Sequence, residues 1–222
     1  MVILLWVFVL LWAVSRRRQR LVFSMTITPI VLLIVSSRFQ PGWFNQYIAQ
    51  ISEYAKVEGV MSLGGILNQV QPGLGGTLRW VIAVVFAIVL IVEWGKALGK
   101  DERWFLWTAG LTLTITNLIG IPTSTSNYVV LIPVLTLVFS VWEQRRGVFG
   151  RSLVLVCMLG LLGGLWLLYL RTAGDGPGFH QSRMMFFPLP LFLLFMLYWI
   201  RHWAFGKFRL QVEELESLKK LW

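Results

Sequence analysis

Two short polar stretches carry the densest sets of groups that could act on a ligand. The first, RTAGDGPGFHQSR, gathers Arg171, Asp175, His180, Gln181 and Arg183 into one glycine-rich connection. Two guanidiniums and an imidazole in one turn suit a phosphate, because arginine donates in a fixed fork and a protonated ring adds another charge-assisted donor. The competing reading is that both arginines snorkel from helix ends. The second stretch, IPTSTSNYVVLIP, holds Thr123, Ser124, Thr125, Ser126, Asn127 and Tyr128, hydroxyl and amide groups without charge. Such groups bind sugar hydroxyls or receive a phosphate at a helix N-terminus. The alternative is that Ser126 or Asn127 caps the following helix. The candidate substrate or lipid-phosphate residues are therefore Arg171, His180, Gln181, Arg183, Ser126, Asn127 and Tyr128.

No catalytic residue can be assigned. Of the ten acidic residues, Glu93, Asp101, Glu102, Glu143, Glu213, Glu214 and Glu216 fall in or beside basic connections, and Glu53, Glu58 and Asp175 fall elsewhere. No GxSxG, HExxH, GxxxxGK or GxGxxG pattern occurs, which excludes the usual hydrolase, kinase and dehydrogenase arrangements. His180 and His202 are expected on opposite sides of a membrane, and Cys157 is the only cysteine. Neither a metal site nor a cofactor is expected.

The elements that must position these groups belong to lipid. Of 222 residues 57% are hydrophobic and 14% charged, against roughly a quarter charged in soluble domains. The apolar residues come in seven blocks, at 2–14, 21–37, 80–98, 104–121, 128–142, 152–170 and 184–200. A hydrocarbon core of ~30 Å takes about 20 helical residues, so the first and fifth blocks need flanking residues or local thinning. Continuous rather than alternating apolarity excludes a membrane barrel. The expected fold is all-α: a polytopic transmembrane helical bundle of about seven spans over 1–200, with an outer loop at 38–79 and an amphipathic tail at 201–222.

Net charge is +10, but the basic residues sit at block ends, where topology determinants and anionic-lipid contacts sit, and no recognition helix is available to read bases. Membrane lipid, not nucleic acid, is the expected partner. Fifteen of the twenty Lys and Arg fall in the connections 15–20, 95–103, 143–151 and 201–222, and five in the alternate set. The rich set is expected in the cytoplasm, with the C-terminus inside a bacterial cell membrane and the N-terminus outside. The opening MVILLWVFVLLWAV carries no leading charge, unlike a signal peptide. It reads as a reverse-oriented anchor or, preferably, as a segment of a longer membrane protein.

Further expectations attach to single features. Trp43, Phe44, Tyr47, Ile48, Ile51 and Tyr54 recur at helical spacing opposite polar residues, predicting an amphipathic helix in the outer interface, either a lid or a plain anchor. Phe205, Phe208, Val212, Leu215, Leu218 and Trp222 stripe the tail similarly, as an interfacial or partner helix. Thr112, Thr114, Thr116 and Asn117 are expected to hydrogen-bond between helices, and Gly160 with Gly164 to allow close helix contact. Pro29, Pro133, Pro188 and Pro190 are expected to kink or break helices. The apolar blocks otherwise lack buried charge.

The order of features carries a resemblance. A short span with a basic turn, a span ending SSRFQPGWFNQYIAQISEY, a long outer loop, LRWVIAVV, then GIPTSTSNYVVLIPVL and WEQRRG resembles the C-terminal half of GT-C glycosyltransferases. The nearest likeness is to the bacterial polyprenyl-phosphate-mannose-dependent mannosyltransferase family. The resemblance implies transfer of a sugar from a polyprenyl-phosphate carrier on the extracytoplasmic face, with a carboxylate of the first outer loop as base. That loop has no counterpart in this sequence, and the family's histidine-bearing stretch reads Ser126, Asn127, Tyr128 here. The implied partner is a polyprenyl-phosphate-linked sugar, and the chain alone is expected to be inactive. The alternatives are half of a transporter or flippase, for which no inverted repeat is visible, or a noncatalytic membrane subunit.

Overall fold

In hydrocarbon each backbone N–H and C=O must be satisfied within its own segment, so continuously apolar sequence becomes helix even where it is rich in Val and Ile. The computed structural model follows that rule. It describes residues 2–58, 75–119, 125–172 and 187–204, and among these there is no strand. The helices are α1 (Val2–Ser15), α2 (Gln19–Phe39), α3 (Trp43–Glu58), α4 (Gly75–Ala97), α5 (Glu102–Leu118), α6 (Ile132–Thr172) and α7 (Pro188–Ala204), with a 3-10 helix at Thr125–Leu131 leading into α6.

Where it is described, each of the seven apolar blocks is helical, but the expectation of about seven spans is not met by length and composition. Among the described residues three stretches are long and apolar enough to cross a membrane: Gln19–Phe39, Trp80–Ala97 and Tyr128–Arg171. The reason is length. Helix α1 has 14 residues and α5 and α7 have 17 each, which at 1.5 Å per residue gives roughly 21 and 25 Å against a ~30 Å core.

Helix α6 is not one rod. Gly147 has φ 55 and ψ −127, a backbone conformation open chiefly to glycine, and the chain doubles back there. Arg151 Nε lies 2.7 Å from Glu143 Oε1, although eight residues along a straight helix span ~12 Å. A Cβ on Gly150 would collide with the carbonyl of Trp142. The arm before Gly147 buries Val134, Val138 and Val141, and the arm after it lays Val154, Cys157 and Leu161 against the same core.

The hub is α5, which buries Trp107, Leu111, Ile115 and Leu118 among others. Around it pack Leu193, Leu197 and Ile200 of α7, the first arm of α6, and Leu90 of α4. Lipid tails are as apolar as leucine, so close packing rather than water exclusion holds such helices together. A close approach between α5 and its neighbours falls at Gly110, where a Cβ would sit 3.3 Å from Val134 and 3.7 Å from Leu197. Gly160 and Gly164 do not serve this purpose, since a Cβ on either meets nothing within 4 Å.

The threonines of α5 also depart from expectation. Thr112, Thr114 and Thr116 donate to the carbonyls of Thr108, Gly110 and Thr112 in their own helix, and Asn117 Nδ2 donates to Leu113. A hydroxyl facing a dry interior takes the nearest acceptor, four residues back. The interhelical bond among them runs from Trp94 Nε1 of α4 to Thr112 Oγ1, at 2.9 Å.

Of the four prolines, Pro29 lies within a helix. It lacks the N–H that would reach the carbonyl of Met25, and Trp6 Nε1 of α1 donates to that carbonyl instead, at 3.3 Å. Pro188 begins α7 and Pro190 stands in its first turn, where a missing N–H is harmless. Pro133 likewise stands in the first turn of α6. These three therefore start helices rather than break them. Helix α3 forms where the aromatic spacing predicts it, after a turn at Gly42 with φ 84, and Trp43 Nε1 donates to Ser37 Oγ of α2. The tail stripe from Phe205 to Trp222 lies outside the described residues.

Candidate functional site

Four basic connections meet at one end of the bundle. The α1–α2 turn touches the α4–α5 turn through Gly99 N donating to Ser15 Oγ at 3.2 Å and through Arg18 to Glu102 Oε1 at 2.6 Å. The end of α4 reaches the end of α7 through Glu93 and Arg201. The reversal in α6 joins them where the Arg145 guanidinium lies 5.9 Å from the Trp203 ring. The exposed pair Arg18–Glu102 contributes little energy, about 0–1 kcal/mol, but it fixes which turns are neighbours.

Glu93 is the centre of this end. Its side chain is 6% exposed, with Oε2 taking Arg201 at 2.8 Å and Oε1 taking Lys96 at 3.2 Å. Leu90, Glu93 and Ala97 form the buried stripe of α4, so the carboxylate points inward because its helix face does. The Arg201 guanidinium lies 5.1 Å from the Trp107 ring and 5.9 Å from the Tyr198 ring. Trp107 Nε1 in turn donates to the Leu197 carbonyl at 2.8 Å. Both oxygens of the carboxylate are engaged by cations, and the aromatic faces hold the arginine in place. Chemically this is a clasp between α4 and α7 rather than a base in reach of a substrate. Glu93 is a buried charge near the end of its apolar block, beside the basic connection at 95–103. The Glu93–Lys96 spacing was visible in sequence, whereas Arg201 stands 108 positions away and gives no local signal.

No known protein family, curated protein or solved structure matches this chain.

The residues expected to bind substrate are placed only in part. Arg171 is exposed in the last turn of α6, where a cation complements the helix dipole. It is roughly 36 Å of helix away from the Gly147 turn. Ser126 and Asn127 lie inside the 3-10 helix, past its first residue, so neither caps α6 directly. Tyr128 is half-buried and packs against the core. The 3-10 helix follows α5 and precedes α6, and therefore sits at the end of the bundle away from the basic connections. His180, Gln181 and Arg183 lie outside the described residues. Among the described residues no three His, Cys, Asp or Glu side chains come together as a metal site would require.

Proposed function

We propose that this chain is the membrane-embedded part of a GT-C-type glycosyltransferase that takes a sugar from a polyprenyl-phosphate carrier at the extracytoplasmic face. In this reading α1, α2, α4, α5, both arms of α6 and α7 all cross the membrane, the shorter ones with flanking residues or local thinning. The observation that carries it is the polarity of the bundle: four basic connections share one end, and Arg171 with the hydroxyl-rich 3-10 helix belongs to the other. By the charge rule the basic end is cytoplasmic, so the far end is where an extracytoplasmic donor would be met.

The chemistry is substitution at the anomeric carbon. An acceptor hydroxyl gives its proton to a general base and forms the new C–O bond, the bond to the carrier phosphate breaks, and the phosphate leaves with the electron pair. Arg171, His180 and Arg183 hold that phosphate, and Ser126, Asn127, Tyr128 and Gln181 contact sugar or acceptor hydroxyls. No base in this chain is assigned.

Binding can be tested without turnover. Membranes carrying the chain are photo-crosslinked to a radiolabelled polyprenyl-phosphate sugar bearing a photoreactive group. Saturable labelling is expected, with about tenfold or greater loss of affinity in Arg171→Ala and Arg183→Ala, since each removes a charge-assisted contact worth roughly 1.5–3 kcal/mol. No labelling, or equal labelling of all variants, overturns the proposal.

A further inference from the structure

Between the end of α1 and the start of α2 lies a groove of about 690 Å³. Its α2 wall is one helical face, formed by Gln19, Val22, Phe23, Thr26 and Ile27, and its α1 wall is Ala13 and Val14. The Thr26 hydroxyl is spent on the Val22 carbonyl at 2.8 Å, so beyond Gln19 at the mouth this wall offers a guest mainly hydrocarbon contact. From Gln19 to Ile27 the stripe runs ~12 Å along the helix. At the mouth stand Arg17 and Arg18.

The two arginines differ. Arg18 is committed to Glu102 at 2.6 Å and lies over the Trp12 ring at 5.0 Å. Arg17 makes no side-chain hydrogen bond or ion pair among the described residues, and its backbone has φ 53, in the left-handed region that residues with a Cβ rarely adopt. Such strain is retained where the surroundings need the residue's direction. Gln19 N closes the turn on the Arg17 carbonyl at 3.0 Å. The groove therefore joins a free guanidinium at the polar boundary to an apolar channel running away from it.

We propose that this groove binds one anionic phospholipid, its phosphate on Arg17 and an acyl chain along Val22, Phe23 and Ile27. The occupant follows from charge and polarity together: a free phosphate would leave the channel unused, and a zwitterionic lipid would set its own cation against the arginine. This site lies at the basic end of the bundle and does not depend on the glycosyltransferase reading.

The test uses the full chain in neutral detergent micelles, titrated with fluorescent phosphatidylglycerol, with phosphatidylcholine of the same chain length in parallel and inorganic phosphate as competitor. Tighter binding of phosphatidylglycerol is expected, with about tenfold loss in Arg17→Gln. Arg20→Gln, in the same basic run but outside the groove, is expected to lose no more than the roughly fivefold of diffuse surface attraction. Ile27→Trp, which narrows the channel and keeps every charge, is expected to weaken the lipid while circular dichroism keeps its helical signal. Equal losses in Arg17→Gln and Arg20→Gln overturn the proposal, as does unchanged binding in Ile27→Trp. Displacement of the lipid by inorganic phosphate at millimolar concentration also overturns it, by reducing the site to a phosphate contact.

Discussion

Arg201 joins charge, aromatic faces and a helix end in one side chain. Removing it leaves Glu93 buried with Lys96 as its remaining cation, and an unpaired buried carboxylate is worse than the lost contact itself. Arg201→Ala should lower stability by about 2 kcal/mol, read as a fall in the unfolding midpoint in detergent. Arg201→Lys should recover little of this, because an ammonium cannot lie flat on Trp107 and reach Glu93 in the same pose. Full recovery by lysine would reduce the clasp to a point charge. A second residue-scale prediction rests on Pro29. Trp6→Phe deprives the Met25 carbonyl of its donor and should cost about 1–3 kcal/mol. In a Pro29→Ala background residue 29 again has an N–H to offer, and the same change should cost much less. Equal costs in both backgrounds would break the link between the proline and the indole.

At the scale of elements, the helices over the seven apolar blocks were legible, since hydrocarbon leaves continuous apolar sequence no other regular structure. The amphipathic spacing from Trp43 to Tyr54 likewise predicted α3. What failed was the identity of the contacts. Gly160 and Gly164 offered the pattern of a close helix crossing, yet the crossing sits at Gly110, an isolated glycine whose role depends on Val134 and Leu197 from two other helices. The threonines of α5 were readable as polar, but not as bonded to their own helix, because that outcome depends on which faces are dry. The candidate site was legible as composition only: Arg171, Tyr128 and the 3-10 helix that carries Ser126 and Asn127 can be placed, while the other candidates, His180, Gln181 and Arg183, lie outside the described residues. The contrast between glycines is testable. Gly110→Val should overpack the crossing and cost about 1–3 kcal/mol, whereas Gly164→Ala should be neutral or stabilising by up to ~1 kcal/mol through helix propensity. A larger loss at Gly164 would reverse the assignment of the crossing.

For the whole molecule, the shared basic end makes a prediction about sides. In a Cys157→Ser background, single cysteines at Arg17, Gly99, Arg146 and His202 should all react with a membrane-impermeant thiol reagent from one face of sealed vesicles. A cysteine at Arg171 should react from the opposite face. Reaction of Arg171 together with the other four would remove the two-ended bundle and the functional proposal with it.

The reversal at Gly147 has a consequence best put as parity. Each crossing flips the side on which all later residues emerge, so one turn decides the address of everything after it. Were α6 to run straight, its 41 residues would extend ~60 Å, and Glu143, Arg145, Arg146 and Arg151 would enter hydrocarbon at about 2.5–3.5 kcal/mol for each basic or acidic side chain. A non-glycine in the turn costs only about 1–3 kcal/mol. The charges therefore outvote the glycine: Gly147→Ala should weaken the hairpin yet leave a cysteine at His202 on its original face. Adding Glu143→Leu, Arg145→Leu, Arg146→Leu and Arg151→Leu removes the penalty for threading, and the downstream chain should then divide between both faces. In the proposed topology four ionised side chains hold the even count, and the glycine eases the turn.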